Sequence, residues 1–437
     1  MHLEERTTLR RQLAEARARS DELFGLLHPR AFYERPIPER HRIIFYLGHL
    51  ETFDWNLVCR WASHVESFHQ QFDRLFDFGI DPVNGNLPSD KPSDWPSIEE
   101  TCRYNQRVRQ EVDHVLDAAF SADSPRTKTQ GEAIFHYAIE HRLMHAETLA
   151  YMLHQLPLDK KFSQPIVPEP SASPVQPHAV EIPSGRATLG LAQSDNTFGW
   201  DNEFEAHTVD VPGFALDAYN VTNSQYLEFL RAGGYQDRNL WSESDWNWNS
   251  RMNVSHPGFW RRSGDRWHYR TMFGEIPLPL DWPAYASHAE AAAYARWAGK
   301  ALPTEEQLHR AAYGTPAGHE RSYPWGNEPP DESRGNCDFH RWDPVPVGAH
   351  PTGNSAFGVA DLIGNGWEWT STLFEPFSGF QPFAFYPGYS ANFFDGNHYV
   401  IKGGSARTAA CMLRPSFRNW FQPHYPYVYA AFRCVEK

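Results

Sequence analysis

IFHYAIEHRLMHAETLAYML, Ile134 to Leu153, is the stretch whose reading decides this chain. Its apolar residues recur at helical spacing, and Pro157 stops it one turn later. His141 and His145 stand four apart, so both imidazoles leave one face of a single helix. That is the geometry of a two-point metal clamp. The same spacing also describes two half-buried or surface histidines, and among 22 histidines chance pairs are expected. A third histidine, His49, lies on another helix-patterned run, IIFYLGHLETFDWNLVCRW (Ile43 to Trp61). If the two helices pack side by side, three imidazoles converge and leave further metal positions open, as a catalytic site requires.

The 437 residues suggest two or three domains, each able to bury its own core. Apolar content of 41% and a mean hydropathy of −0.61 fit a globular protein in water. No window of about 18 uninterrupted apolar residues occurs, so no membrane span is expected. The first 24 residues are charged and helix-patterned, without the apolar core of a signal peptide, which points to the cytoplasm. The balance of 40 basic and 54 acidic residues gives a net charge of −14 with no basic stripe, which argues against nucleic acid. Five scattered cysteines, Cys59, Cys102, Cys337, Cys411 and Cys434, lack CxxC spacing and indicate neither a disulfide framework nor a zinc ribbon. Aromatic residues reach 15%, and most of the 16 tryptophans lie after residue 197. Such loops serve as core or as walls of a pocket for a cationic or sugar ligand.

Residues 1–156 read as all-helical, with helices predicted at 3–27, 38–70, 97–120 and 128–154. Four long amphipathic segments suggest a four-helix bundle, whose interior is a usual place for metal sites. Residues 157–179 are rich in Pro and Ser and read as a linker. From 180 to 437 short β-like runs alternate with turn signals, and two helical stretches stand out. These are 222–234, with Thr222 as N-cap, and 287–300, capped by Ser287 and stopped at Gly299. The expected fold is therefore multidomain, α followed by a loop-rich α+β domain.

The second half carries eight ordered motifs and a closing AAFRC (430–434): IPSGRATLG (182–190), FGWDNE (198–203), VTNSQYLEFL (221–230), AAAYARWAGKALPTEEQLHRAAYG (291–314), YPWGN (323–327), GNGWEWTSTLF (364–374), VIKGGSA (400–406) and RPSFRNWF (414–421). Together they resemble the formylglycine-generating-enzyme (sulfatase-modifying factor) domain, which is related to C-type lectins. Enzymes that make formylglycine bind copper through two cysteines just after the GGS turn. Here GGSARTAACML offers only Cys411, which argues against that activity. The first half resembles a DinB-like bundle through LGHLETFDWN and EHRLMHAETL. The pairing of these domains resembles the ergothioneine-biosynthetic sulfoxide synthases. Those are non-haem iron(II) enzymes that use O2 to join a sulfur donor to C2 of the imidazole of hercynine.

The resemblance implies Fe(II) held by His49, His141 and His145, with positions left for the substrate imidazole, the chalcogen donor and O2. Glu140 and Glu147 face other directions on the helix and read as surface groups or hydrogen-bond partners of the ligands. Each ligand's outer N–H needs an acceptor, which the sequence does not name. The family uses a tyrosine as a proton or hydrogen-atom source, in a YxxYS pattern. FAFYPGYSANFF puts Tyr386 there and Tyr389 three residues later; both also read as aromatic core. Arg418-Asn419-Trp420 corresponds to the hercynine pocket, where an amide binds the polar end and an indole face holds the quaternary ammonium. Trp420 also reads as packing, and whether Arg407, Arg414 or Arg418 reaches a site or anchors the domain stays open.

Three departures bear on the donor. Mycobacterial-type enzymes follow RNW with an acid that binds the amine of γ-glutamylcysteine, and here Phe421 stands there. Their paired arginines fall near 86–92, where NLPSDKP offers only Lys91. A glutamine often precedes the last histidine ligand, and here it is Met144. A neutral, hydroxyl-rich donor suits such a pocket, and the chain looks most similar to the selenoneine synthase branch, which couples hercynine to a selenosugar. The other readings are a sulfoxide synthase using γ-glutamylcysteine or cysteine, and a metal-stabilised binding scaffold without oxygen chemistry. The sequence leaves the oligomeric state open.

Overall fold

The structure, a computed structural model, describes residues 2–78, 87–119, 128–165, 175–195 and 197–437. The chain divides into two compact units, 1–165 and 166–437.

The first unit is helical. Helix α1 (His2–Gly25) buries Leu9, Leu13, Ala16 and Leu23 along one face and packs on α5 (Lys128–Gln155). Helix α2 (Ile43–Asp54) is buried on every side, which makes it the central strut. Helix α4 (Ile98–Ala119) starts in a capping box: Ser97 Oγ accepts from the Glu100 amide at 3.2 Å, and Glu100 accepts from the Ser97 amide at 3.0 Å. Its Tyr104, Val108, Val112 and Leu116 then face α2.

The helix predicted over 38–70 is in fact three pieces. The chain through Pro36 and Pro38 is not helical, and Arg42 is extended, so α2 begins only at Ile43. Past Asp54 the helix widens into a π-helical segment, Trp55–Trp61, and His64 then takes a positive φ of 56°. The chain resumes as a short helix, α3 (Gln70–Phe78). Gly48 of α2 lies so close to α3 that a Cβ there would meet the Phe76 ring at 2.4 Å. Residues after Pro157 pack back on the bundle: the Phe162 amide donates to Leu26 O at 2.8 Å. Residues 166–174 of the expected linker lie outside the described residues.

A buried charge network ties four of these helices. Arg142 of α5 reaches Glu51 at 2.8 Å and Asp54 at 2.6 Å, and Arg109 of α4 joins Glu51 to Asp21 of α1. Burial raises the Asp54 carboxyl against the pull of Arg142, whereas two arginines hold Glu51 low despite the same burial.

The second unit is irregular. Strand β1 (Ala179–Ile182) pairs antiparallel with β4 (Phe214–Asp217), and β2 (Gly185–Leu189) with β3 (His207–Val211). Strands β5 (Trp260–Ser263), β6 (Arg266–Arg270) and β7 (Glu275–Pro277) form a meander. The largest sheet has the order β10-β9-β8-β11, built from β8 (Trp367–Leu373), β9 (Tyr399–Lys402), β10 (Asn419–Phe421) and β11 (Ala430–Ala431). In it Trp420 pairs opposite Val400 and Asn419 opposite Ile401.

Among the described residues four α-helices lie among the strands, two more than the periodicity shows. Helices α6 (Asn223–Arg231) and α8 (His288–Trp297) start at Thr222 and Ser287, each in a capping box, as the sequence predicts. Helix α7 (Glu243–Met252) is poor in helix formers, with two Trp-Asn pairs of weak propensity, and is held by the Ser242 cap. Helix α9 (Glu305–Tyr313) follows a Thr304–Gln307 capping box, a signal present in the sequence and overlooked.

Candidate functional site

In the bundle, α2 supplies His49 and α5 supplies His141 and His145. One ligand atom of each lies within 4.8 Å of the others. The ring centroids are 5.2 Å apart for His49–His141, 4.9 Å for His49–His145 and 4.5 Å for His141–His145. His141 is further fixed by stacking on Phe53, with centroids 3.5 Å apart and planes 8° apart.

The acceptor that the sequence could not name is a backbone carbonyl. His49 Nδ1–H donates to Phe76 O at 2.7 Å, which leaves its Nε2 lone pair directed elsewhere. Gly48 permits this contact, because any side chain there would push Phe76 away. Burial drives all three imidazoles toward the neutral form. It takes His49 down to about 4 against the opposing Phe76 bond, and takes His141 and His145 well below the ordinary histidine value. Neighbouring charge adds to this at His145, where His49, Arg40 and Arg142 oppose protonation. Nδ1 of His145 is buried without a hydrogen-bond partner among the described residues. Three neutral nitrogen donors and an unsatisfied ring nitrogen fit a borderline divalent metal such as iron(II). Glu140 and Glu147 are both buried, so they are not surface groups. Met144 precedes His145 on α5 and is half-buried. Lys91 lies in solvent, while its neighbour Asp90 is buried and pairs with Arg35 and Arg42.

In the second unit, the structure joins Tyr386, Tyr389 and Trp420 into one aromatic cluster. Tyr389 lies 5.6 Å from Tyr386 and 5.5 Å from Trp420 by ring centroid, and Trp200 stacks on it at 4.2 Å. Tyr389 is buried and Tyr386 half-buried. Phe374 covers one face of Trp420 at 4.1 Å and 8°, and Phe393 lies 5.5 Å away at 47°. Asn419 Oδ1 accepts from the Trp420 amide at 2.8 Å, which leaves its side-chain NH2 to donate elsewhere. Phe421 is turned to another neighbour, stacking on Tyr425 at 5.5 Å and 7°.

The three arginines are anchors. Arg418 donates to Glu305 at 3.0 Å and lies over Phe377; Arg414 binds Glu203 at 2.8 Å; Arg407 lies 3.7 Å above Trp342 and donates to Phe339 O. What sequence reasoning missed were Phe76, Phe53 and Gly48 around the histidines, and Trp200 and Asp201 beside the tyrosines. The last two sit in the FGWDNE motif, which was visible without a role.

Comparisons with known proteins agree in both halves. Residues 165–437 match the sulfatase-modifying factor enzyme 1-like domain, and 12–149 match the DinB superfamily. The chain is 37% identical over 337 residues to a hercynine oxygenase of Mycobacterium tuberculosis, covering 75% of this chain and 77% of that one. It is 36% identical to a hercynine oxygenase of Mycolicibacterium smegmatis, covering 81% and 80%. It is 30% identical to ergothioneine biosynthesis protein 1 of Neurospora crassa, covering 92% of this chain and 54% of the relative.

Proposed function

This chain belongs to the ergothioneine-type sulfoxide synthase family, which includes the hercynine oxygenases, and from that premise we propose that it couples hercynine to a selenosugar in an Fe(II)- and O2-dependent reaction. A C–Se bond forms at C2 of the hercynine imidazole. The C2–H and Se–H bonds are replaced by C–Se and Se=O, and O2 takes up four electrons and leaves its second oxygen as water. Selenoneine is released from that adduct by later reduction and elimination. The observation that carries the metal part is the gathering of three neutral imidazoles on two helices, with the His49 tautomer fixed by Phe76 O.

In this reading residues 1–156 supply the metal ligands and 180–437 the aromatic residues, joined by 157–179. Bound iron(II) supplies electrons and open coordination positions to O2. His49, His141 and His145 hold it, and their depressed basicity keeps them from exchanging it for protons at neutral pH. Tyr386 Oη holds the proton that the oxygen chemistry consumes; its half-buried position suits that role better than that of Tyr389, which is packed under Trp200. The Trp420 face turned away from Phe374 holds the trimethylammonium, and the Asn419 amide binds the polar part of hercynine. Phe421 and Met144 offer no charge where a dipeptide donor would need one, and the exposed Lys91 leaves its stretch without a cation aimed at a carboxylate. This supports a neutral sugar donor over a charged dipeptide thiol. Five unbridged cysteines and iron(II) both suit a reducing compartment, and we assign the cytoplasm.

The test is anaerobic loading with iron(II), then air, hercynine and one donor at a time, with products read by mass spectrometry. A hercynine–selenosugar adduct formed much faster than any thiol adduct supports the assignment. Preference for γ-glutamylcysteine or cysteine overturns the donor and leaves a sulfoxide synthase. Hercynine binding without any adduct leaves only a binding scaffold.

A further inference from the structure

We propose that the Trp200–Glu203 turn is a clamp on the tyrosine loop, with Asp201 as the positioning residue that holds Tyr386 in register. The inference rests on the reading of Tyr386 as the proton source.

The loop between β8 and β9 contains one short 3-10 turn, Ala391–Phe393, and no strand. Its backbone bonds around the tyrosines are local: Tyr386 N–H to Phe383 O at 3.1 Å, Tyr389 N–H to Tyr386 O at 3.1 Å and Phe393 N–H to Ser390 O at 2.9 Å. Such bonds shape the loop without fixing where it lies in the unit. At its tyrosine end two consecutive residues far away in sequence hold it, beside the Tyr389–Trp420 contact. Trp200 stacks on Tyr389, and Asp201 Oδ1 accepts a short hydrogen bond from Ser390 Oγ. Both are fully buried, at 0% and 1% exposure.

The other two residues of the same turn grip the segment that leads into β10. Asn202 O accepts from Arg418 at 3.4 Å, and Glu203 accepts from Arg414 at 2.8 Å and Ser416 Oγ at 2.6 Å. One turn therefore sets the tyrosine loop on one side against Asn419 and Trp420 on the other. Asp201 is also chemically unlike its neighbours. Glu203, Glu305 and Glu368 each have an arginine at hydrogen-bond distance, whereas Asp201 has a hydroxyl partner and no ion pair among the described residues. A buried carboxyl without a cation is costly as mere scaffolding, and its persistence fits a geometric task.

The test compares Asp201→Asn, Ser390→Ala, Tyr386→Phe and the double variant Asp201→Asn/Tyr386→Phe in the full-length iron-loaded enzyme. Hydrogen–deuterium exchange is followed in the metal-free proteins. Asp201→Asn and Ser390→Ala should each lower kcat roughly 10- to 100-fold, as small misplacements do, with KM for hercynine within about twofold. In the Tyr386→Phe background Asp201→Asn should cost nothing further. Exchange over 383–393 should speed up in both clamp variants while β8 and β9 keep their protection. Additive losses in the double variant, unchanged exchange over 383–393, or a change in KM alone overturns the clamp. A full rate in Tyr386→Phe overturns instead the reading of Tyr386, and the exchange result then judges the clamp on its own.

Discussion

The two candidate regions are built in opposite ways. Around His49, His141 and His145, regular helices do the positioning: register on α5 puts two rings on one face, and α2 brings the third. The supporting contacts are a stacked Phe53 and a carbonyl of α3. Around Tyr386 and Tyr389 the chain is irregular, with Trp420 beside them on the short strand β10, and the segments are located by buried polar groups from distant segments: Asp201 on Ser390, Glu203 on Arg414, Glu305 on Arg418. A helix fixes ligand geometry through backbone hydrogen bonds that tolerate most side-chain changes. A loop depends on individual contacts, each exposed to a single substitution. Damage should therefore be confined and chemical in the bundle, and positional in the second unit.

The largest effect should come from the ligands themselves. His145→Ala should abolish iron(II) binding, measured as metal content after anaerobic loading, together with all coupling. Retained iron at one per chain would sink the three-histidine assignment. Tyr386→Phe comes next. Loss of a positioned proton source should slow adduct formation by about 10²- to 10⁴-fold, while iron content and hercynine affinity by calorimetry stay near wild type. An unchanged rate moves the role to Tyr389 or out of the loop. Gly48→Ala is smaller and tests the helix side of the contrast. The new methyl must displace Phe76 and with it the carbonyl on His49 Nδ1. Iron affinity should fall about 10- to 100-fold, as losses of a ligand's hydrogen-bond partner do, and Gly48→Ser should behave alike. Unaltered affinity would mean that the helices alone orient His49.

This contrast also explains what could be read beforehand. The histidine face was legible because helical periodicity converts spacing into direction, and the long segments of α1, α4 and α5 carry that signal over many turns. The break inside 38–70 was not, since the π-helical segment at Trp55–Trp61 and the turn at His64 leave the apolar pattern intact. That break creates α3, and so the partner of His49 was out of reach. In the second unit the motifs announced a family fold, and RNW and YPGYS marked their own positions. Nothing local says that Ser390 meets Asp201 across 189 residues, or that Arg418 serves Glu305. Contacts of that kind are decided by tertiary packing. Helix α9 is a different case, because its capping box was in the sequence and only its short length hid it.

The smallest effect is the one that most directly distinguishes Asp201 from its arginine-paired neighbours. Burial pushes its carboxyl up to about 6, against the opposing pull of the Ser390 hydroxyl and the Asn202 and Phe383 amides. An unfolded aspartate titrates near 3.9. The folded form thus binds its proton more tightly than the unfolded one, so this group's contribution to stability is fully present below about pH 4. It is lost as pH rises through about 6. Asp201→Asn cannot titrate and should not show that loss. Denaturant unfolding of the metal-free proteins, followed by tryptophan fluorescence, should therefore show wild type losing on the order of 1–2 kcal/mol relative to the variant between pH 4 and 7. Asp361, also raised to about 6, is common to both proteins and cancels in the difference. Were Asp201 held by a cation as Glu203 is, the slope would reverse, with the variant losing ground as pH rises. A reversed or flat difference would remove Asp201 from the class of groups kept ionised at a cost, and with it the distinction between a clamp and an ordinary buried ion pair.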